Sequence, residues 1–159
     1  MDGKSVVFRH SFPVEGGDFI RGGEASCQIL QILKELGLKP SLVRRAGIAA
    51  YEAEMNIVMY AVRGELRLVV TPNCIEIVAA DAGPGIPDLN LAMKEGYSTA
   101  TEQMREMGFG AGMGLPNIKR NSDSMQLTSE VNEGTKVRVR IKLNPNGGAS
   151  EASGTCSED

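Results

Sequence analysis

The order of three short segments constrains this chain more than any other feature. A run with helical periodicity carries Glu52 and Asn56. It is followed by Asp81-Ala82-Gly83-Pro84-Gly85. Then comes a stretch with glycine at every second position: Gly108, Gly110, Gly112 and Gly114. Neither a GxxxxGK[ST] phosphate loop nor a GxGxxG dinucleotide fingerprint is present at these segments. Each segment alone has an ordinary explanation: a solvated helix face, a turn, a glycine hinge. In this order they describe a pocket for a magnesium nucleotide that is not a P-loop.

The 159 residues suffice for one domain with its own core. Tryptophan is absent and aromatics are scarce, so that core rests on Ile, Leu, Val, Met and Ala. A net charge of −3 argues against nucleic-acid and anionic-membrane partners. No apolar run approaches the ~18 residues of a membrane span. The polar start of the chain does not read as a signal peptide. Cys27, Cys74 and Cys156 are odd in number, far apart and without a CxxC. Their spacing indicates reduced thiols, with neither a disulfide framework nor a zinc site. A cytoplasmic protein is expected.

Periodicity predicts a first strand over 5–14, a glycine-marked loop, and a helix over 24–36 closed by Gly37. A long helix is predicted over about 42–62, with Ser41 as its N-cap and a second half apolar almost all round. Residues 66–71 and 74–80 read as a hairpin about Pro72-Asn73, and 125–131 and 135–143 as a second about 132–134. Between them, 81–115 is rich in Gly and Pro, with helix-like pieces at 89–94 and 101–107. That is long for a plain loop. A third helix is expected over 115–121, with Pro116 in its first turn. The polar tail over 144–159 cannot bury apolar surface and is expected to be disordered. The sum is an α+β domain over 1–143, an antiparallel or mixed sheet with helices on one face.

Glu52 and Asn56 are four residues apart and leave one face of the long helix. That face otherwise carries Ile48, Met55 and Met59. A carboxylate there is tolerable if it looks into a wet pocket. Asn56 offers a hard amide oxygen for Mg²⁺, and Glu52 can take a proton from an attacking hydroxyl or water. Glu54 points elsewhere and reads as a solvated residue. Asp81, at a strand end, can accept from the exocyclic amine of adenine, and Gly83 and Gly85 let the backbone approach a flat base. The alternating glycines leave amide N–H groups unshielded and run into a helix start, a cradle for a triphosphate.

These residues, in this order, resemble the GHKL ATPase superfamily of gyrase, MutL and histidine kinases. Glu52xxxAsn56 matches its N box, Asp81-x-Gly83-x-Gly85 its first glycine box, and the run from Gly108 through Met113 and Gly114 to Leu115 its second. Gly134-Thr135 matches a downstream Gly-Thr whose hydroxyl helps hold adenine. The resemblance implies a two-layer α/β sandwich of Bergerat type, a mixed sheet, and a lid over ATP at about 88–113. Within the superfamily the chain is similar to the small bacterial serine/threonine kinases of anti-sigma-factor and switch type. The matching features are Asn56-Ile57-x-x-Tyr60-Ala61, the segment from Asp81 to Leu89 with Ala92-Met93, and Gly96-Tyr97-Ser98-Thr99. Tyr60, where anti-sigma members often carry His, and the insert at 101–107 are departures that bear on the partner.

The resemblance implies ATP and Mg as ligands and a small antagonist protein or a sigma factor as partner. Asn56 is expected to bind the metal, and Glu52 to act on a serine or threonine hydroxyl. Candidate cations for the γ-phosphate are Lys94, Arg105, Lys119 and Arg120. An alternative is a binding module that sequesters a sigma factor without phosphoryl transfer; a third reading is slow ATP hydrolysis with no protein acceptor. A homodimer is compatible with an exposed helix. The only histidine, His10, falls in the first strand and reads as an ordinary strand residue.

Overall fold

Five strands, β1 (Phe8–Glu15), β2 (Arg63–Val70), β3 (Cys74–Ala82), β4 (Ser124–Glu130) and β5 (Gly134–Lys142), form one sheet in the order β1-β2-β3-β5-β4. The structure is a computed structural model and describes residues 6–106 and 113–144. The helices are α1 (Glu24–Glu35), α2 (Pro40–Tyr60), α3 (Leu89–Ala92), α4 (Glu102–Glu106) and α5 (Gly114–Arg120). Every strand pairing among the described residues is antiparallel, so the mixed sheet that the resemblance implies is corrected to an antiparallel one, the other form that the sequence allowed. Links of three residues join β2 to β3 and β4 to β5, and links that short close only hairpins.

Alternation along the strands builds one apolar face. Leu68, Ile77, Val139 and Met125 stand opposite one another across four strands. Leu66, Ala79, Val137 and Leu127 form the next row. α2 lies across this face, flanked by α1 and α5. Its buried Ala46, Ala49, Ala50 and Ala53 let the neighbouring helices approach closely, and Ile57 and Val58 pack on the sheet layer. Ile29 and Leu33 carry the buried stripe of α1. Each such Ile or Leu contributes roughly 1.5–3 kcal/mol through burial.

Three local expectations need correction. α2 begins at Pro40 with Lys39 as its N-cap, and Ser41 lies inside the helix. Proline suits the first helical position because its missing N–H has no intrahelical acceptor there. Glu54 is not solvated: it is 2% exposed, and its carboxylate accepts hydrogen bonds from the backbone N–H groups of Gly23, Ala25 and Ser26. Spacing along α2 correctly turns Glu54 away from Glu52. It does not reveal that the open N-terminus of α1 waits on that side. Cys27 is exposed and free, whereas Cys74 is disulfide-bonded rather than a reduced thiol. Distance along the chain does not report distance in space. The tail from residue 145, including Cys156, lies outside the described residues.

Candidate nucleotide site

α2, the end of β3, the start of α5 and the segment with α3 enclose a cavity of about 580 Å³. Glu52 and Asn56 line it from α2, and Met113, Gly114 and Leu115 from the start of α5. A Cβ built on Gly114 would lie 3.4 Å from both Glu52 Oε1 and Asn56 Oδ1. The carboxylate and the carboxamide therefore converge on the same small volume at the α5 end. Gly108, Gly110 and Gly112 lie outside the described residues.

The opposite end is built on Asp81. Its Oδ1 accepts from the backbone N–H of Thr135, 3.1 Å away. Burial pushes the Asp81 carboxyl above the ordinary aspartate range, and the Thr135 hydrogen bond pulls the other way. Asp81, Gly85 and Thr135 all line the cavity. Gly83 stands behind them, its N–H bonded to the Glu133 carbonyl.

Two backbone approaches hold this end together. A Cβ on Gly134 would sit 1.9 Å from the Asp81 carbonyl oxygen, and one on Gly85 2.4 Å from that of Glu130. Gly85 also has φ +78°, in the left-handed region. Glycine is thus required at both positions by proximity. Ser129, which sequence reasoning missed, ties the parts together. Its hydroxyl accepts from the Ile86 N–H at 2.7 Å, donates to the Gly134 carbonyl, and meets Thr135 Oγ1 at 3.1 Å. On its own strand Ser129 looks like any polar strand residue. Only the register that puts it opposite Thr135 discloses its place.

The remaining wall comes from the residues around α3 and α4. Asp88 caps α3 through its side chain, 3.0 Å from the Leu91 N–H. Tyr97, Ser98 and Thr99 line the cavity. Tyr60 Oη lies 3.4 Å from Ser98 Oγ, linking the end of α2 to this wall. Arg105 Nη2 reaches the Ser98 carbonyl at 3.5 Å. Arg120 pairs with Glu95.

Asn117, on α5, also lines the cavity and was not anticipated; its Nδ2 donates to Glu52 Oε2 at 3.2 Å. Among the described residues no lysine or arginine lines the cavity, so Lys94, Arg105, Lys119 and Arg120 all stand outside it. Glu52, Asp81 and Asp88 give it acidic walls. Such a cavity suits a ligand that brings cations with it.

Residues 44–145 match the profile of the histidine kinase-, DNA gyrase B- and HSP90-like ATPases. The chain belongs to this ATPase family. Among curated relatives, it is 34% identical over 112 residues to the serine/threonine-protein kinase RsbT of Bacillus subtilis (strain 168), covering 68% of this chain and 78% of that protein. It is 29% identical over 109 residues to an anti-sigma F factor of Caldanaerobacter subterraneus subsp. tengcongensis, covering 64% and 73%. Among solved structures, the SiaB-SiaC complex from Pseudomonas aeruginosa contains a chain of the same fold. It has a TM-score of 0.56 at 15% identity and covers 87% of this chain and 90% of that one. The mycobacterial sensor histidine kinase MprB matches with a TM-score of 0.52 at 17% identity, covering 82% and 97%. At these identities the two structures speak for the fold alone. Membership of the ATPase family accounts for the two-layer arrangement. No helix among the described residues is long and apolar enough to cross a membrane.

Proposed function

We propose that this chain is an ATP-dependent serine/threonine kinase of a bacterial partner-switching pathway. It acts in the cytoplasm on a small antagonist protein. The observation that carries this reading is the convergence of Glu52 Oε1 and Asn56 Oδ1 beside Gly114, in one cavity with Asp81. Likeness to a protein named as a serine/threonine kinase selects protein phosphorylation among the family's chemistries.

In this reading Asp81 accepts from the adenine amine, with Thr135 beside it and Gly83 and Gly85 leaving room for the base. Backbone amides over 110–115, including those of Gly110, Gly112, Met113, Gly114 and Leu115, with Gly108 ahead of them, hold the phosphates. The segment over about 88–113 covers the nucleotide. The oxygen donors fit Mg²⁺, a hard cation, and among the described residues no lysine or arginine lines the cavity to compete with it. Asn56 would hold it, and when bound it neutralises charge on the phosphate oxygens. Glu52 takes the proton from the acceptor hydroxyl. The acceptor oxygen forms a bond to the γ-phosphorus as the β–γ bridging bond breaks, and ADP leaves. Positioning and charge neutralisation carry most of such a reaction.

Incubating the chain with γ-labelled ATP and a candidate antagonist domain tests this. Phosphoserine or phosphothreonine on the domain is the expected result. A tight nucleotide-dependent complex with a sigma factor and no transfer overturns it in favour of sequestration, in line with the relatives named as anti-sigma F factors. Phosphate release indifferent to any partner overturns it in favour of plain hydrolysis.

A further inference from the structure

The two oxygens of Glu52 are not equivalent. Oε2 is held by Asn117 Nδ2 at 3.2 Å, while Oε1 faces Gly114 and the side of the cavity shared with Asn56. The Asn117 amide is itself fixed end to end. Its Oδ1 accepts from Arg120 Nη1 at 3.1 Å. A guanidinium only donates and a carboxylate only accepts, so the amide has one workable orientation between them. The far side of Arg120 pairs with Glu95, in the segment between α3 and α4. A continuous chain of hydrogen bonds thus runs from Glu95, in the segment between α3 and α4, through Arg120 and Asn117, to the carboxylate on α2.

We propose that Asn117 is a positioning residue for Glu52: it holds Oε2 so that Oε1 is presented to the acceptor hydroxyl, and Arg120 with Glu95 holds Asn117 in that role. The inference rests on the reading of Glu52 as the base. A neutral donor suits the task. A lysine or arginine in its place would favour the ionised carboxylate and weaken a base. The Arg120–Glu95 pair is half-exposed on both sides. Such pairs contribute little to stability, so its part here is orientation.

Three substitutions of Asn117 separate this role from a merely structural one. Asn117→Leu removes both hydrogen bonds. Asn117→Asp keeps the acceptor for Arg120 but loses the donor to Glu52. Asn117→Gln keeps both kinds of group. With labelled ATP and an acceptor domain, Leu and Asp lower kcat for transfer by about 10- to 100-fold, the scale of a misplaced reacting group. For Leu, KM for the acceptor and affinity for ATP change by less than about threefold, because Asn117 is assigned no contact with either; Asp adds a charge to the cavity and is read on kcat alone. Gln recovers most of the lost rate. In a Glu52→Ala background, Asn117→Leu leaves the residual rate unchanged.

Transfer at the wild-type rate by Asn117→Asp overturns the proposal, and so does an additive loss in the Glu52→Ala background. Should Asn117→Leu fail to fold, the Asp and Gln variants decide alone. Full transfer by Glu52→Ala itself overturns the base role, and this inference with it. Dependence on Glu52 combined with indifference to Asn117 overturns this inference only.

Discussion

The Glu54 Oε1 atom lies 2.8 Å from the backbone nitrogen of Ser26. With Oε2 on the N–H groups of Gly23 and Ala25, one buried carboxylate on α2 caps the first turn of α1. The N-cap residue, Gly23, has no side chain to do so. Replacing Glu54 by Ala strands those donors in the core. The expected loss is about 3 kcal/mol of unfolding free energy, read as a fall in the urea midpoint with an unchanged slope. A shift under about 0.5 kcal/mol, typical of a surface substitution, contradicts the assignment.

Glu52→Ala should lower phosphate transfer by about 10²–10⁴-fold, the usual contribution of a positioned base. Nucleotide affinity by calorimetry should stay close to wild type. Intact transfer in this variant removes the role assigned to Glu52.

Asp81 supplies a pH-dependent prediction. Burial raises its carboxyl in the folded chain. The native state therefore holds the proton more tightly than the unfolded state does. Across the window from the unfolded value up to the raised folded value, stability falls as pH rises. Asp81→Asn removes that slope. Without nucleotide, the variant should gain thermal stability relative to wild type at pH 7 and gain less at pH 4. The same substitution should weaken ATP binding by about tenfold or more, the scale of one hydrogen bond to a charged acceptor. Unchanged ATP affinity disposes of the adenine-reading role.

Gly134→Ala should destabilise the fold by about 1–3 kcal/mol or more, because its Cβ meets the Asp81 carbonyl. Gly37→Ala is the comparison. Gly37 has φ +78° but nothing near its Cβ site, so it bears only the backbone cost of about 1 kcal/mol. Equal losses in denaturant melts would show that the approach at Gly134 relaxes freely.

Chelation of divalent cations should stop transfer. Asn56→Ala should raise the Mg²⁺ concentration for half-maximal rate by about tenfold or more, the scale of a disturbed metal shell. Full activity in excess EDTA contradicts the metal assignment.

The fold was readable where periodicity is strong. The buried run of α2, the alternation in β3 and β5, and the Pro72-Asn73 turn each announce their element. Asp81, Gly85 and Gly114 stood out because their residue types are costly or unusual where they fall. Asn117, Ser129 and Glu54 did not, since each is an ordinary polar residue on an ordinary element. What distinguishes them is a partner more than 25 residues away, or one directly opposite on the next strand. Spacing along one element carries no information about what another element brings to it. Ser41 carries the side-chain signal of an N-cap, but the proline before it already begins the helix.

The tight approaches at Gly85 and Gly134 make one half of the pocket stiff. The other half is closed by α3 and the segment after it, held through few polar contacts such as the part-buried one of Tyr60 with Ser98. In the kinase reading, spent and fresh nucleotide look identical to the stiff half. Discrimination between them, and with it the pace at which one replaces the other, falls to the compliant half.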